Sequence, residues 1–91
     1  MSASVRPRLA VKVTVADTWQ PLHLLVPADE SVAALKARSL AACAIGHDRS
    51  PLYEVKFGGA AVRDESQTLD SLGVSDGSAL VVLARRRRAV R

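Results

Sequence analysis

Aromatic side chains are almost missing from these 91 residues: Trp19, Tyr53 and Phe57 are all there are. A surface that stacks nucleic-acid bases needs several of them along a basic groove, so that class of function has little material here. Cysteine is equally scarce. The single Cys43 closes no intramolecular disulfide, and no second thiol or histidine cluster stands near it to complete a metal site. No apolar run is long enough to span a bilayer, and the polar residues 1–8, with Pro7 among them, do not resemble the apolar core of a signal peptide. The expectation is a cytoplasmic protein with no membrane insertion, no metal and no cofactor.

Acidic charge is missing from one end only. Residues 1–84 carry eight Lys or Arg against all nine acids, net −1, whereas Arg85, Arg86, Arg87, Arg88 and Arg91 add +5 to give the overall +4. The bulk of the chain is therefore close to neutral, and the basic character belongs to a short terminal run. Such a run is either a solvated tail or an arm that docks on acidic protein, nucleic acid or anionic lipid. Hydrophobic residues make up 48% of the sequence, enough for one packed interior at this length, and Val, Leu and Ala must fill it.

Leu9, Val11, Val13 and Val15 alternate with Ala10, Lys12, Thr14 and Ala16, the period of a strand with one buried face. Turn chemistry over residues 17–21 leads to a second alternation, Leu22, Leu24 and Val26, with His23 and Leu25 on the other side, so the two read as a hairpin. Pro27 stops that strand, and Asp29 and Ser31 are candidate caps for a helix over residues 32–44, which Gly46 would end. Tyr53, Val55 and Phe57 alternate with Leu52, Glu54 and Lys56 in a third strand. Gly58-Gly59 turns into a short strand ending at Val62, and Ser75-Asp76-Gly77 introduces a last strand over residues 78–84. This order in so small a chain gives an α+β fold: one mixed sheet of four to five strands packed on one helix.

Several local sequences resemble ubiquitin and its relatives over about three quarters of the chain. Val26-Pro27-Ala28-Asp29 is similar to the exit from the ubiquitin hairpin, and Ser31-Val32 with Leu35-Lys36-Ala37-Arg38 to the capped start of its helix. Phe57-Gly58-Gly59, Val62-Arg63-Asp64, Thr68-Leu69, Gly73-Val74 and Ser78-Ala79-Leu80 follow the second half in order and spacing. The resemblance implies a ubiquitin-like β-grasp domain over residues 9–85, between an N-terminal arm (1–8) and a basic tail (86–91). It also implies a structural ion pair between Lys36 and Asp64.

Departures from that pattern shape the functional expectation. Arg88-Ala89 stand where ubiquitin-like modifiers present Gly-Gly, whose lack of side chains admits the terminus to an activating enzyme. Lys56 replaces the central exposed isoleucine of ubiquitin's binding face, while Val81 and Leu83 keep its last-strand positions. Trp19 falls in the hairpin loop that supplies the remaining apolar contact. Ala60 and Asp76 occupy the places of two chain-linking lysines, so chain building is not implied. Trp19 is either an exposed interface anchor or a cap folded over the open end of the sheet. Cys43 reads as a small buried apolar residue, and neither His23 nor His47 has an evident catalytic partner.

The expectation is a non-catalytic ubiquitin-like protein that binds partner proteins through Trp19, Lys56, Val81 and Leu83. It is either a bacterial modifier or modifier precursor handled by activating and conjugating enzymes, or a non-covalent YukD-like adaptor of a bacterial secretion or other multiprotein system.

Overall fold

The structure is a computed structural model, and it describes residues 8–16 and 18–85. Strand β1 (Arg8–Val15) and strand β2 (Gln20–Pro27) form the antiparallel hairpin, Leu9 facing Val26 and Val15 facing Gln20. β1 begins one residue before the expected domain start, because Arg8 pairs with Pro27.

Helix α1 (Val32–Ala42) starts at Ser31, whose hydroxyl accepts from the Ala34 amide at 3.1 Å and satisfies one orphan donor of the first turn. It stops before Gly46. The Ala44 amide donates to the Ala41 carbonyl and the Ile45 amide to the Leu40 carbonyl, the paired bonds of a left-handed stop, with Ala44 at φ 62°. Alanine here occupies the position where glycine is unstrained. The connection expected over residues 47–50 is a 3-10 helix, His47–Leu52, that delivers the chain to β3 (Tyr53–Phe57). The two-residue β4 (Ala60–Ala61), the single turn α2 (Leu69–Leu72) and β5 (Ala79–Ala84) complete the order.

The sheet runs β2-β1-β5-β3-β4. Its centre is a parallel pairing of β1 with β5, Val13 beside Leu80 and Val15 beside Val82, so the first and last strands meet in the middle. β5 then pairs antiparallel with β3, setting Val55 against Val82 and Phe57 against Leu80. The inward positions of these strands pack on Val32, Leu35 and Leu40 of α1 to form one core, to which Val62, Leu69 and Val74 add from the connections. Valine predominates, and its stiff χ1 suits the pleated surface on which most of it lies. Tyr53 is buried in this core and Phe57 packs against it, while Cys43 lies half-buried at its margin with Sγ 4.0 Å from the Thr18 hydroxyl. A mixed five-stranded sheet on one main helix is the α+β architecture that the sequence implies.

Candidate functional site

One face of the sheet is covered by α1 and the other is open. Pairing fixes which residues share the open face, because partners across a ladder point the same way. Pro21, Thr14, Val81, Lys56 and Ala61 form one row in register across all five strands. Leu83 and Glu54 stand opposite each other toward one end of the sheet, and Lys12 lies between His23 and Ala79 toward the other. Val81, Leu83 and Lys56 are half-buried there among their neighbours.

Trp19 stands at the same end as Leu83. The hairpin turn follows Val15, the partner of Val82, and the Ala16 amide continues the ladder onto the Val82 carbonyl at 2.8 Å. The Thr18 and Trp19 amides both donate to the Val15 carbonyl, which tightens the turn and leaves Trp19 at φ 58° with 75% of its surface exposed. Of the two readings of Trp19, the folded cap is therefore corrected: the indole stands in solvent. A bulky residue in the left-handed region costs on the order of 1 kcal/mol or more, a strain that turns accept most often where the side chain has a use.

Leu52 was not among the expected contact residues, yet it is 49% exposed and its carbonyl accepts from the Arg85 amide at 2.7 Å, close to the end of β5. The alternation Leu52, Glu54, Lys56 already placed it on this side of β3; the unforeseen 3-10 helix is what leaves it uncovered. The structure thus brings Val81, Lys56 and Leu83 together on one face, with Trp19 and Leu52 at its end.

Behind the sheet the charges are arranged differently from the expected Lys36–Asp64 pair. Lys36, 3% exposed, sends its ammonium to Glu65 Oε1 at 2.7 Å and to the Tyr53 carbonyl at 3.1 Å. Glu65 takes the place of Asp64 because its own carbonyl accepts from the Ala33 amide at 2.8 Å, holding it over the first turn of α1. Asp64 instead faces solvent and accepts from Ser66, whose hydroxyl and then amide hold its carboxyl below the ordinary value of 3.8.

Arg85 belongs to this cluster and not to a free tail. Its Nη2 is 3.6 Å from the buried Glu65 Oε2, its Nη1 is 3.9 Å from Glu54, and its Nε donates to the Pro51 carbonyl at 3.1 Å. Arg86, Arg87, Arg88 and Arg91, together with the arm at residues 1–7, Asp17 and the His47 side chain, lie outside the described residues. Among the described residues no group of three or more His, Cys, Asp or Glu is arranged to hold a metal ion, and no helix is long and apolar enough to cross a membrane.

No protein-family model and no curated protein sequence matches the chain. Solved structures do. The ubiquitin of Caldiarchaeum subterraneum superposes with a TM-score of 0.75 at 25% identity, over 91% of this chain and 100% of that one. The ubiquitin-like domain of an Arabidopsis thaliana protein gives 0.74 at 21% identity, over 99% of this chain and 90% of that one. The UBL domain of Plasmodium falciparum Dsk2 gives 0.73 at 18%, over 87% of this chain and 100% of that one, and at such identities the last two speak to fold alone. Strand order, the capped helix and these superpositions agree: the chain has the ubiquitin-like β-grasp fold.

Proposed function

We propose that this domain is a non-catalytic module that binds partner proteins through the open face of its sheet, with Trp19 as the anchor and Val81, Leu83, Leu52 and Lys56 around it. The observation that carries the reading is the exposed, backbone-strained Trp19 at the end of a face that also presents apolar Leu83 and Leu52. Tryptophan offers a large rigid contact area at small entropic cost, which is why so few residues of this kind dominate interfaces. Among the described residues of the face no hydroxyl or thiol is hydrogen-bonded to a basic side chain, which supports reading it as a binding surface.

The mode we favour is non-covalent, as in a YukD-like bacterial adaptor. Side chains at Arg88 and Ala89 would obstruct the narrow channel through which a glycine terminus is adenylated, and Arg85 is tied to the fold just before them. A covalent modifier or its precursor is the second reading, favoured by the likeness to an archaeal ubiquitin over the whole of that chain. Affinity for a partner recovered from the native cell tests the face: Trp19→Ala should weaken it by about 2 kcal/mol or more with the fold intact. Unchanged affinity would move the contact elsewhere. Intact mass of the protein from the same cells tests the mode, since a species joined to a partner amine through a carboxylate within residues 84–91 would refute the adaptor.

A further inference from the structure

We infer that the open face is built to receive an acidic segment of a partner protein, an inference that rests on that face being the contact surface. The argument comes from how charge is divided between the two sides of the sheet. Lys12 on β1, His23 on β2 and Lys56 on β3 all take open-face positions by register. None of the three side chains makes a hydrogen bond or an ion pair among the described residues. Glu54 is the only acid at an open-face position of the strands, and Arg85 stands 3.9 Å from it. Asp64, Glu65 and Asp70 lie in the connection after β4 or in α2, Asp29 and Asp48 lie before α1 and in the 3-10 helix, and Glu30 is engaged by Arg38 at 2.7 Å. Asp76, in the turn before β5, is the one other acid near this face, and its carboxylate accepts from the Ala10 amide at 2.7 Å.

Although residues 1–84 are net −1, the described open-face strand positions carry Lys12 and Lys56 against the single acid Glu54, and that segregation gives the sign of the partner. The lysines also set a spacing. Lys12 and Lys56 lie two strands apart and are offset by two residues, since Lys12 aligns with Ala79 and Lys56 with Val81. With strands about 4.8 Å apart and a rise of about 3.3 Å per residue, their Cα atoms are about 12 Å from each other. Two carboxylates at that spacing fit about four residues of extended peptide, or about eight of helix.

Between the lysines the surface is small and aliphatic, Thr14, Ala79 and Val81, which suits side-chain packing. It offers no aromatic ring on which a base could stack, so a protein carboxylate fits better than a nucleic-acid phosphate. Beside Lys12 and His23 a recess lined also by Ala10, Leu25 and Gly77 extends the same surface, with Leu25 61% exposed as an apolar contact for the end of the segment. A second copy of this chain would bring like charges face to face, which argues against self-association here.

A random twelve-residue peptide library displayed on phage, selected on the full-length chain near physiological salt, tests the inference. Recovered peptides should be net negative. Lys12→Gln and Lys56→Gln, each checked for an unchanged melting temperature, should weaken the synthesised peptides about two- to five-fold apiece, and the loss should shrink as salt rises. Peptides that lose affinity with Trp19→Ala but not with the lysine variants would refute the acidic partner and leave the face standing. Peptides indifferent to all three variants would refute both, and recovery of none that depends on Lys12 and Lys56 would overturn the inference. Tighter binding of a twelve-nucleotide oligothymidylate, lost in the two lysine variants, would reassign the face to nucleic acid.

Discussion

Replacing Lys36 by Met should be among the most damaging single changes in this domain. The ammonium lies 2.7 Å from Glu65 and 3.1 Å from the Tyr53 carbonyl at 3% exposure, so its loss leaves a carboxylate and a buried carbonyl without their donor. Removing one partner of a buried pair costs about 3–5 kcal/mol. Glu65 is 17% exposed and retains Arg85 at 3.6 Å, which argues for the low end of that range. The stranded Tyr53 carbonyl adds roughly 1 kcal/mol, while methionine fills the space of the lysine stem and opens no large cavity. The total is about 3–4 kcal/mol, a large share of the roughly 5–14 kcal/mol that a chain of this length has to lose. Urea unfolding followed by far-ultraviolet circular dichroism is the suitable assay, because the only tryptophan is already in solvent and would report little. Glu65→Gln in the same background removes the orphaned charge, so the double variant should be less destabilised than the sum of the singles. Asp64→Asn should show no such coupling to Lys36. A cost below about 1 kcal/mol for Lys36→Met, or stronger coupling to Asp64 than to Glu65, would refute this reasoning.

Two further outcomes test local geometry. Ala44→Gly should stabilise the domain by about 0.5–1 kcal/mol and raise its melting temperature by a few degrees, because glycine enters the left-handed region at φ 62° without a Cβ penalty; destabilisation would mean that the helix does not stop there. Limited trypsin digestion of the full-length chain, read by intact mass, should cut after Arg86, Arg87 or Arg88 well before Arg85, whose side chain and amide are both engaged; a dominant early product ending at Arg85 would refute the anchorage.

The strands and the hairpin were legible because each buries one face, and a period of two survives in the sequence wherever that is so. Val11, Val13 and Val15, then Tyr53, Val55 and Phe57, show it directly. Ser31 and its helix were legible for a similar reason, since a cap and the stripe it introduces are local. What local pattern does not encode is where irregular segments are pulled by distant hydrogen bonds. The choice of Glu65 over Asp64 depends on an amide of α1 reaching the loop more than thirty residues later in the sequence. The stop at Ala44 was hidden because glycine two residues on looked the better candidate, and Leu52 because a 3-10 helix in a Ser-Pro stretch carries little periodic signal. Trp19 was visible as a residue, but only the turn's bonds to Val15 decide that it stands clear of the sheet.

The parallel pairing of β1 with β5 also ties the candidate face to the basic run. Because Val15 lies beside Val82, the hairpin turn and the end of β5 come out at one end of the sheet, and Trp19, Leu83, Leu52 and Arg85 gather there. An antiparallel pairing would have put the turn and the C-terminal root at opposite ends. Arg85 is fastened by Pro51, Leu52, Glu54 and Glu65, which fixes the end of the described chain at the same end of the sheet as Trp19. The three arginines that follow span at most about 10 Å, little more than the Debye length of about 8 Å at physiological salt, so their charge is only partly screened from that end. A partner gripping Trp19 is thereby exposed to the same cationic field that Lys12 and Lys56 extend across the sheet. If the partner segment is acidic, as inferred above, replacing Arg86, Arg87 and Arg88 by Ala should weaken its binding at low salt and matter less as salt rises; binding unchanged at low salt would separate tail from face.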